Sequence, residues 1–256
     1  MSDFPPPPPP PPIAPPPGYV AYGAPGAVSP FQNIAGLTKW LRVLVIVGIV
    51  ASVVTLLLQI ALRSRADDFV NGVIDRDRFR DGLGLFLFVG LIAGIAAIAQ
   101  IVVLCVWTFR MARNHQKLGR QGMGVSQPGA TIAINILGGC TLGILNFFMW
   151  RELWKGSDPD CPAGDPNWKQ RAVDNIVPIH LALTVAAAVA GFGSSFSVGF
   201  RFGTPNQSDA DLAKELSDRL PFTLLSGALS LAAAGVFVVL VTRLAARHMR
   251  STRETA

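Results

Sequence analysis

Long apolar stretches separated by short charged ones set the pattern of this chain: Leu41–Leu62, Leu83–Phe109, Ile176–Phe200 and Phe222–Thr242. A helix rises ~1.5 Å per residue and a bilayer's hydrocarbon core is ~30 Å thick, so each stretch is long enough to cross. The pattern predicts an all-α integral membrane protein with four transmembrane helices. A fifth apolar stretch, Ala130–Trp150, is interrupted by Asn135, Gly138-Gly139, Gly143 and Asn146. It can cross, enter and return, or lie in the interface. Broken backbone at membrane depth requires protein or a wet cavity to satisfy its polar groups. Four spans plus one re-entrant or interfacial segment is the expectation.

The polar segments refine this plan. Arg63–Asp81 is read as a short charged loop whose ions neutralise one another in solvent. After Pro205 a short surface helix is expected, capped by Ser208, with Leu212, Leu216 and Leu220 on one face and a Glu215–Arg219 pair. Pro221 ends that helix or begins the last span. Beyond the last span, Arg243, Arg247 and Arg250 share a face suited to anionic headgroups. Gly90 and Gly94 have the spacing that lets helices approach closely. Packing within the chain is the plainer reading of that pair, and self-association as a homo-oligomer the sharper one.

Half of the 256 residues are hydrophobic and only 15% are charged, as in a small multi-pass protein. The formal charge is +6. Its placement beside apolar stretches points to orientation and to a lipid bilayer with anionic headgroups, and away from nucleic acid. With four spans, fourteen of the 22 Lys and Arg fall on the side that holds both termini and residues 110–175. Positive residues favour the cytoplasm, so both termini are expected there and the compartment is the plasma membrane. Trp40, Trp107, Trp150, Trp154 and Trp168 all fall at boundaries on that side, where an aromatic belt is expected. Three cysteines without regular spacing make neither a disulfide framework nor a zinc set.

Residues 1–34 form a proline-rich, disordered cytoplasmic tail, 35–247 the membrane domain, and 248–256 a basic C-terminal tail. Pro5–Pro12 is an unbroken proline run, which favours polyproline II. It reads either as a docking strip for a protein partner with an aromatic groove or as a solvated spacer.

The sequence contains no metal-binding H-E-x-x-H, phosphate loop or G-x-S-x-G nucleophile turn. Ser194, Ser195 and Ser197 are separated from His180 by about four helical turns or ~20 Å along one helix, too far for a base. No cofactor, metal or catalytic residue is assigned and the protein is not expected to be an enzyme. The polar or interfacial positions that stand out are Gln100, Arg113, Asn135, Asn146, Arg151, Glu152 and Trp154.

Arg110-Met111-Ala112-Arg113-Asn114, followed about forty residues on by Arg151-Glu152-Leu153-Trp154-Lys155-Gly156-Ser157-Asp158-Pro159, resembles a pair of blocks in an actinobacterial multi-pass family, the domain of unknown function 4328. The likeness covers roughly residues 37–247. Such proteins often carry proline-rich N-terminal tails. This chain departs from the family in its broken segment, where no proline occurs between Gly129 and Asp158. The resemblance implies a bacterial membrane protein and supplies no chemistry. The leading expectation is a non-enzymatic scaffold or adaptor acting through its tail and the basic surface around Arg113 and Arg151. The alternative is a small transporter or channel-like subunit built around the broken segment.

Overall fold

The computed structural model describes residues 31–195 and 209–254, without the side chains of 192–195, 209–210 and 212–220. The proline run, Ser197, Ser208 and the Leu212–Leu216–Leu220 face with its Glu215–Arg219 pair lie outside the residues so described.

Every regular element among the described residues is helical: α1 (Ala35–Val70), α2 (Arg76–Lys117), α3 (Pro128–Leu137), α4 (Ile144–Gly156), α5 (Ile176–Ser195) and α6 (Asp209–Thr252), with 3₁₀ turns at Gly138–Thr141 and Trp168–Gln170. Three helices, α1, α2 and α6, are long and apolar enough to cross a membrane, and α5 is a shorter apolar helix over its described part. Only 6% of the most apolar 18-residue window of α1 is buried. Val50, Leu57, Leu87, Phe88, Leu91, Ile95 and Ile98 all lie open on α1 and α2. Apolar surface of that extent is unfavourable in water and is accommodated by lipid.

The helices at both turns run further than the polarity pattern predicts. The charged Arg63–Asp81 segment is mostly helix, leaving only residues 71–75 to turn the chain. Arg63 and Asp67 sit one turn apart at 3.7 Å. Asp75 caps α2 by accepting the Arg78 N–H at 2.9 Å. Phe69 stacks on Phe79 at 5.1 Å across the turn, above a cluster of Leu62, Ala66 and Phe79. At the other turn, the expected separate helix before Pro221 is instead continuous with α6, with the proline inside it.

Helix α1 packs against α2 on one side and α6 on the other, and α6 also packs on α5. Among the described residues α2 and α5 do not touch, and α3 and α4 lie between them. At one end of this arc α1 and α5 begin while α2 and α6 finish; it is called the packed end below. There Glu254 Oε1 accepts the N–H groups of Ile34 and Ala35, each at 2.9 Å, which satisfies donors that the start of α1 leaves free. Further along, Gly227 lies so close to Leu56 that an added Cβ would come within 2.4 Å of its methyl group.

The main core also sits at the packed end and gathers Leu41, Val45, Trp107, Met111, Met149, Trp150, Leu153, Leu240 and Leu244. This places the tryptophans differently from an aromatic belt. Trp107, Trp150, Trp154 and Trp168 are buried and only Trp40 is exposed. An indole can go inside because its N–H finds a partner: Trp107 Nε1 donates to Thr38 Oγ1 at 2.8 Å, and Trp168 Nε1 to the Gln121 carbonyl at 2.9 Å. Gly90 and Gly94 correct the expectation of close packing within the chain, since a Cβ at either would meet nothing within 4 Å.

Candidate functional site

The broken segment is a helix–turn–helix that goes in and comes back. Glu152 starts it: its Oε2 accepts the N–H groups of Ser126 at 2.9 Å and Gly124 at 3.2 Å, holding the turn before α3. Pro128 then opens α3 at a position where its missing N–H costs nothing. Helix α3 runs back along α2, with Asn135 Nδ2 donating to Thr108 Oγ1 at 2.8 Å. The chain reverses through Gly138–Thr141 and two left-handed residues, Leu142 (φ 51°) and Gly143 (φ 79°). At Gly143 glycine is favoured on conformational grounds. At Gly138 it is required sterically, because an added Cβ would overlap Asn146 Oδ1. Helix α4 returns to the packed end, where Trp150 meets Trp107 and Phe237. With 10 and 13 residues, α3 and α4 each fall well short of the ~30 Å hydrocarbon thickness at ~1.5 Å per residue.

The tip of this hairpin floors a cleft between the long helices. One cavity of about 500 Å³ lies among α1, α2, α5 and α6, reaching Gly48, Ser52, Gly94 and Ala233. A second, of about 320 Å³, is bounded by Asn135, Gly138, Gly143, Asn146 and Thr184. Gln100, His180 and Phe237 line both, so the cavities meet at those side chains. The lining is apolar apart from a small set of amides, hydroxyls and one imidazole. Among the described residues it contains no carboxylate, ammonium or guanidinium.

Polar groups in this cleft are incompletely used. Asn135 Oδ1 and Asn146 Oδ1 are enclosed by protein and have no hydrogen-bond partner. Thr108 already donates to the Leu104 carbonyl at 2.9 Å, so it can only accept from Asn135, which fixes the amide orientation and leaves the oxygen over. His180 packs its ring on Phe237 at 5.3 Å. Buried acceptors without partners are uncommon and call for an explanation.

Of the positions singled out by sequence, Gln100, Asn135 and Asn146 therefore converge on the cleft. The others do not. Arg113 is exposed at the packed end with its guanidinium over Phe109 at 5.4 Å. Glu152 organises the turn before α3 and has Lys169, 3.9 Å away, as its ionic neighbour. Trp154 is buried, with the Arg247 guanidinium over its ring at 5.5 Å. Arg243 and Arg247, expected to face headgroups, pair instead with Asp174 at 3.1 Å and Asp158 at 2.9 Å.

Sequence reasoning missed a second polar assembly, at the packed end. Asn114, His115, Ser157 and His248 are completely buried. Asn114 Oδ1 accepts the Gln32 N–H at 2.7 Å, and its Nδ2 donates to the Gln32 carbonyl at 2.9 Å and contacts His248 Nε2 at 3.0 Å. Ser157 Oγ lies 3.0 Å from both His248 Nδ1 and His115 Nε2. One neutral pattern serves all three contacts: His248 Nε2 accepts from Asn114, its Nδ1–H donates to Ser157, and the serine hydroxyl donates to His115 Nε2, which leaves His115 Nδ1 without a partner. Fully buried, the serine–histidine contacts tie α2, α6 and the end of α4 together. Arg120, also buried, donates to the carbonyls of Gly156, Cys161 and Pro162 and fixes the loop beyond α4. In that loop Asp165 accepts the Asn167 N–H at 2.8 Å, which holds its carboxyl below the usual carboxylate range.

Compared with protein-family models, with curated proteins and with solved structures, the chain matches none.

Proposed function

We propose that this is a multi-pass plasma-membrane protein that binds a small uncharged polar solute in the cleft above the α3–α4 hairpin and passes it across the bilayer. In this reading α5 is a fourth span, α3–α4 is re-entrant, and the packed end with both termini faces the cytoplasm. The carrying observation is the pair of orphaned amide oxygens, Asn135 Oδ1 and Asn146 Oδ1, at a cavity shared by Gln100 and His180. Polar groups deep in an apolar helix body are costly and face other helices or a cavity, where they can meet a solute. A helix broken at depth is tolerated where it lines a cavity. Among the described residues the lining carries no fixed charge, which favours a neutral, hydroxyl- or amide-bearing solute over an ion. The work asked of the protein is recognition and passage, with no bond made or broken. The docking role of the proline-rich tail rests on residues outside those described, so the cleft carries the proposal.

The test is uptake by vesicles holding the purified chain. Counterflow of small polyols and amides should exceed that of empty vesicles. Asn146→Leu should abolish it, while Arg113→Gln, outside the cleft, should leave it intact. Equal flux through Asn146→Leu and the unaltered protein would rule the cleft out as the path.

A further inference from the structure

Beside the hairpin, and apart from the cleft, lies a pocket of about 310 Å³ lined by Gly124, Phe148, Arg151, Glu152, Lys155 and Lys169. On α4, Phe148, Arg151, Glu152 and Lys155 stand at i, i+3, i+4 and i+7, which puts them on one face. That face has a direction. Phe148, 43% exposed, lies toward the apolar tip, and Lys155 lies ~10 Å along the axis toward the packed end. Three cations meet there with a single carboxylate. Glu152 is already engaged by the backbone N–H groups of Gly124 and Ser126. Arg151 is exposed and makes no ion pair among the described residues. Lys155 Nζ donates to the Lys169 carbonyl, and Lys169 Nζ to that of Gly122. Burial, and then the neighbouring Arg151, lower the proton affinity of Lys155, against the opposing effect of the Glu152 carboxylate.

We infer that this pocket seats the phosphate of an anionic phospholipid, with Arg151, Lys155 and Lys169 around the headgroup and Phe148 against the acyl chain. The charge selects a phosphate-bearing anion. The apolar-to-basic direction of the face selects lipid over a free phosphate, because only a lipid brings chain and headgroup in that order. The site stands independently of what the cleft carries.

The experiment is native mass spectrometry of the full chain released from nanodiscs of phosphatidylcholine doped with phosphatidylglycerol. A retained phosphatidylglycerol is expected on the unaltered protein. Arg151→Gln and Lys155→Gln should each weaken retention roughly fivefold and the double variant about thirtyfold, whereas Arg113→Gln should not. Phe148→Ala should weaken lipid retention and leave the binding of glycerol phosphate unchanged. An equal loss from Arg113→Gln would overturn the pocket in favour of a diffuse basic surface. Displacement of the lipid by millimolar inorganic phosphate would overturn the lipid assignment and leave a soluble-phosphate site.

Discussion

Two buried serines at the packed end make opposite predictions. Ser157 Oγ bridges two imidazoles at 3.0 Å each, whereas Ser126 Oγ is enclosed with no partner. Removing one member of a buried hydrogen-bonded set leaves the others unsatisfied at about 1–3 kcal/mol, while removing an already orphaned group costs little. Ser157→Ala should therefore lower the melting temperature in detergent by several degrees, and Ser126→Ala should leave it unchanged or raise it slightly. Similar shifts from both would mean that the serine–histidine chain contributes nothing beyond volume. The same assembly explains why Gly156 is glycine, since an added Cβ would lie 2.7 Å from the His115 ring. The histidines were not legible because each is isolated in sequence: Asn114 and His248 are 134 residues apart and no motif links them.

At the scale of elements, the α3–α4 hairpin depends on a long-range anchor, Glu152. Glu152→Ala removes the acceptor for the Gly124 and Ser126 N–H groups, so amide exchange across 123–127 should speed up, whereas Arg151→Ala should leave it unchanged. Unchanged protection in Glu152→Ala would show that Pro128 and the loop fix that turn without the carboxylate. Sequence could place the break, because Gly138, Gly139, Gly143 and the asparagines interrupt an otherwise apolar run. It could not place Glu152, which reads as half of a local pair with Arg151. Successive helical residues point ~100° apart, so the glutamate is turned to a backbone that the sequence does not bring near it. Helix ends were missed for a related reason. Charged residues near Arg63–Asp81 look like loop by polarity, yet a helix holds them readily when pairs such as Arg63 and Asp67 fall one turn apart. Gly90 and Gly94 show the converse: correct spacing for close packing, with no helix present to use it.

For the whole molecule, the contacts at the packed end decide how the chain threads a bilayer. The segment before the hairpin is tied there by Met123, which clusters with Ala112, Cys161 and Trp168. The segment after it is tied to the same end by Ser157 against His115 and by Arg120 on the Gly156 and Cys161 carbonyls. Both flanks of α3–α4 are thus bound near the last turns of α2, so in the proposed topology the hairpin enters and leaves on one side. The turn between α1 and α2 lies at the far ends of those helices, separated from Gln121 along the chain by the 42 residues of α2. With Cys105, Cys140 and Cys161 replaced by serine, single cysteines can be placed at the exposed positions Asn71, Gln121 and Asp160. An impermeant maleimide applied to intact cells should label the position-71 cysteine alone. Positions 121 and 160 should react together, and only after the membrane is opened, because positive residues concentrate on their side. Labelling of 121 and 160 from opposite faces would make the segment a fifth crossing. It would also separate Met123 from Trp168, breaking the small cluster that ties the two flanks of the hairpin together.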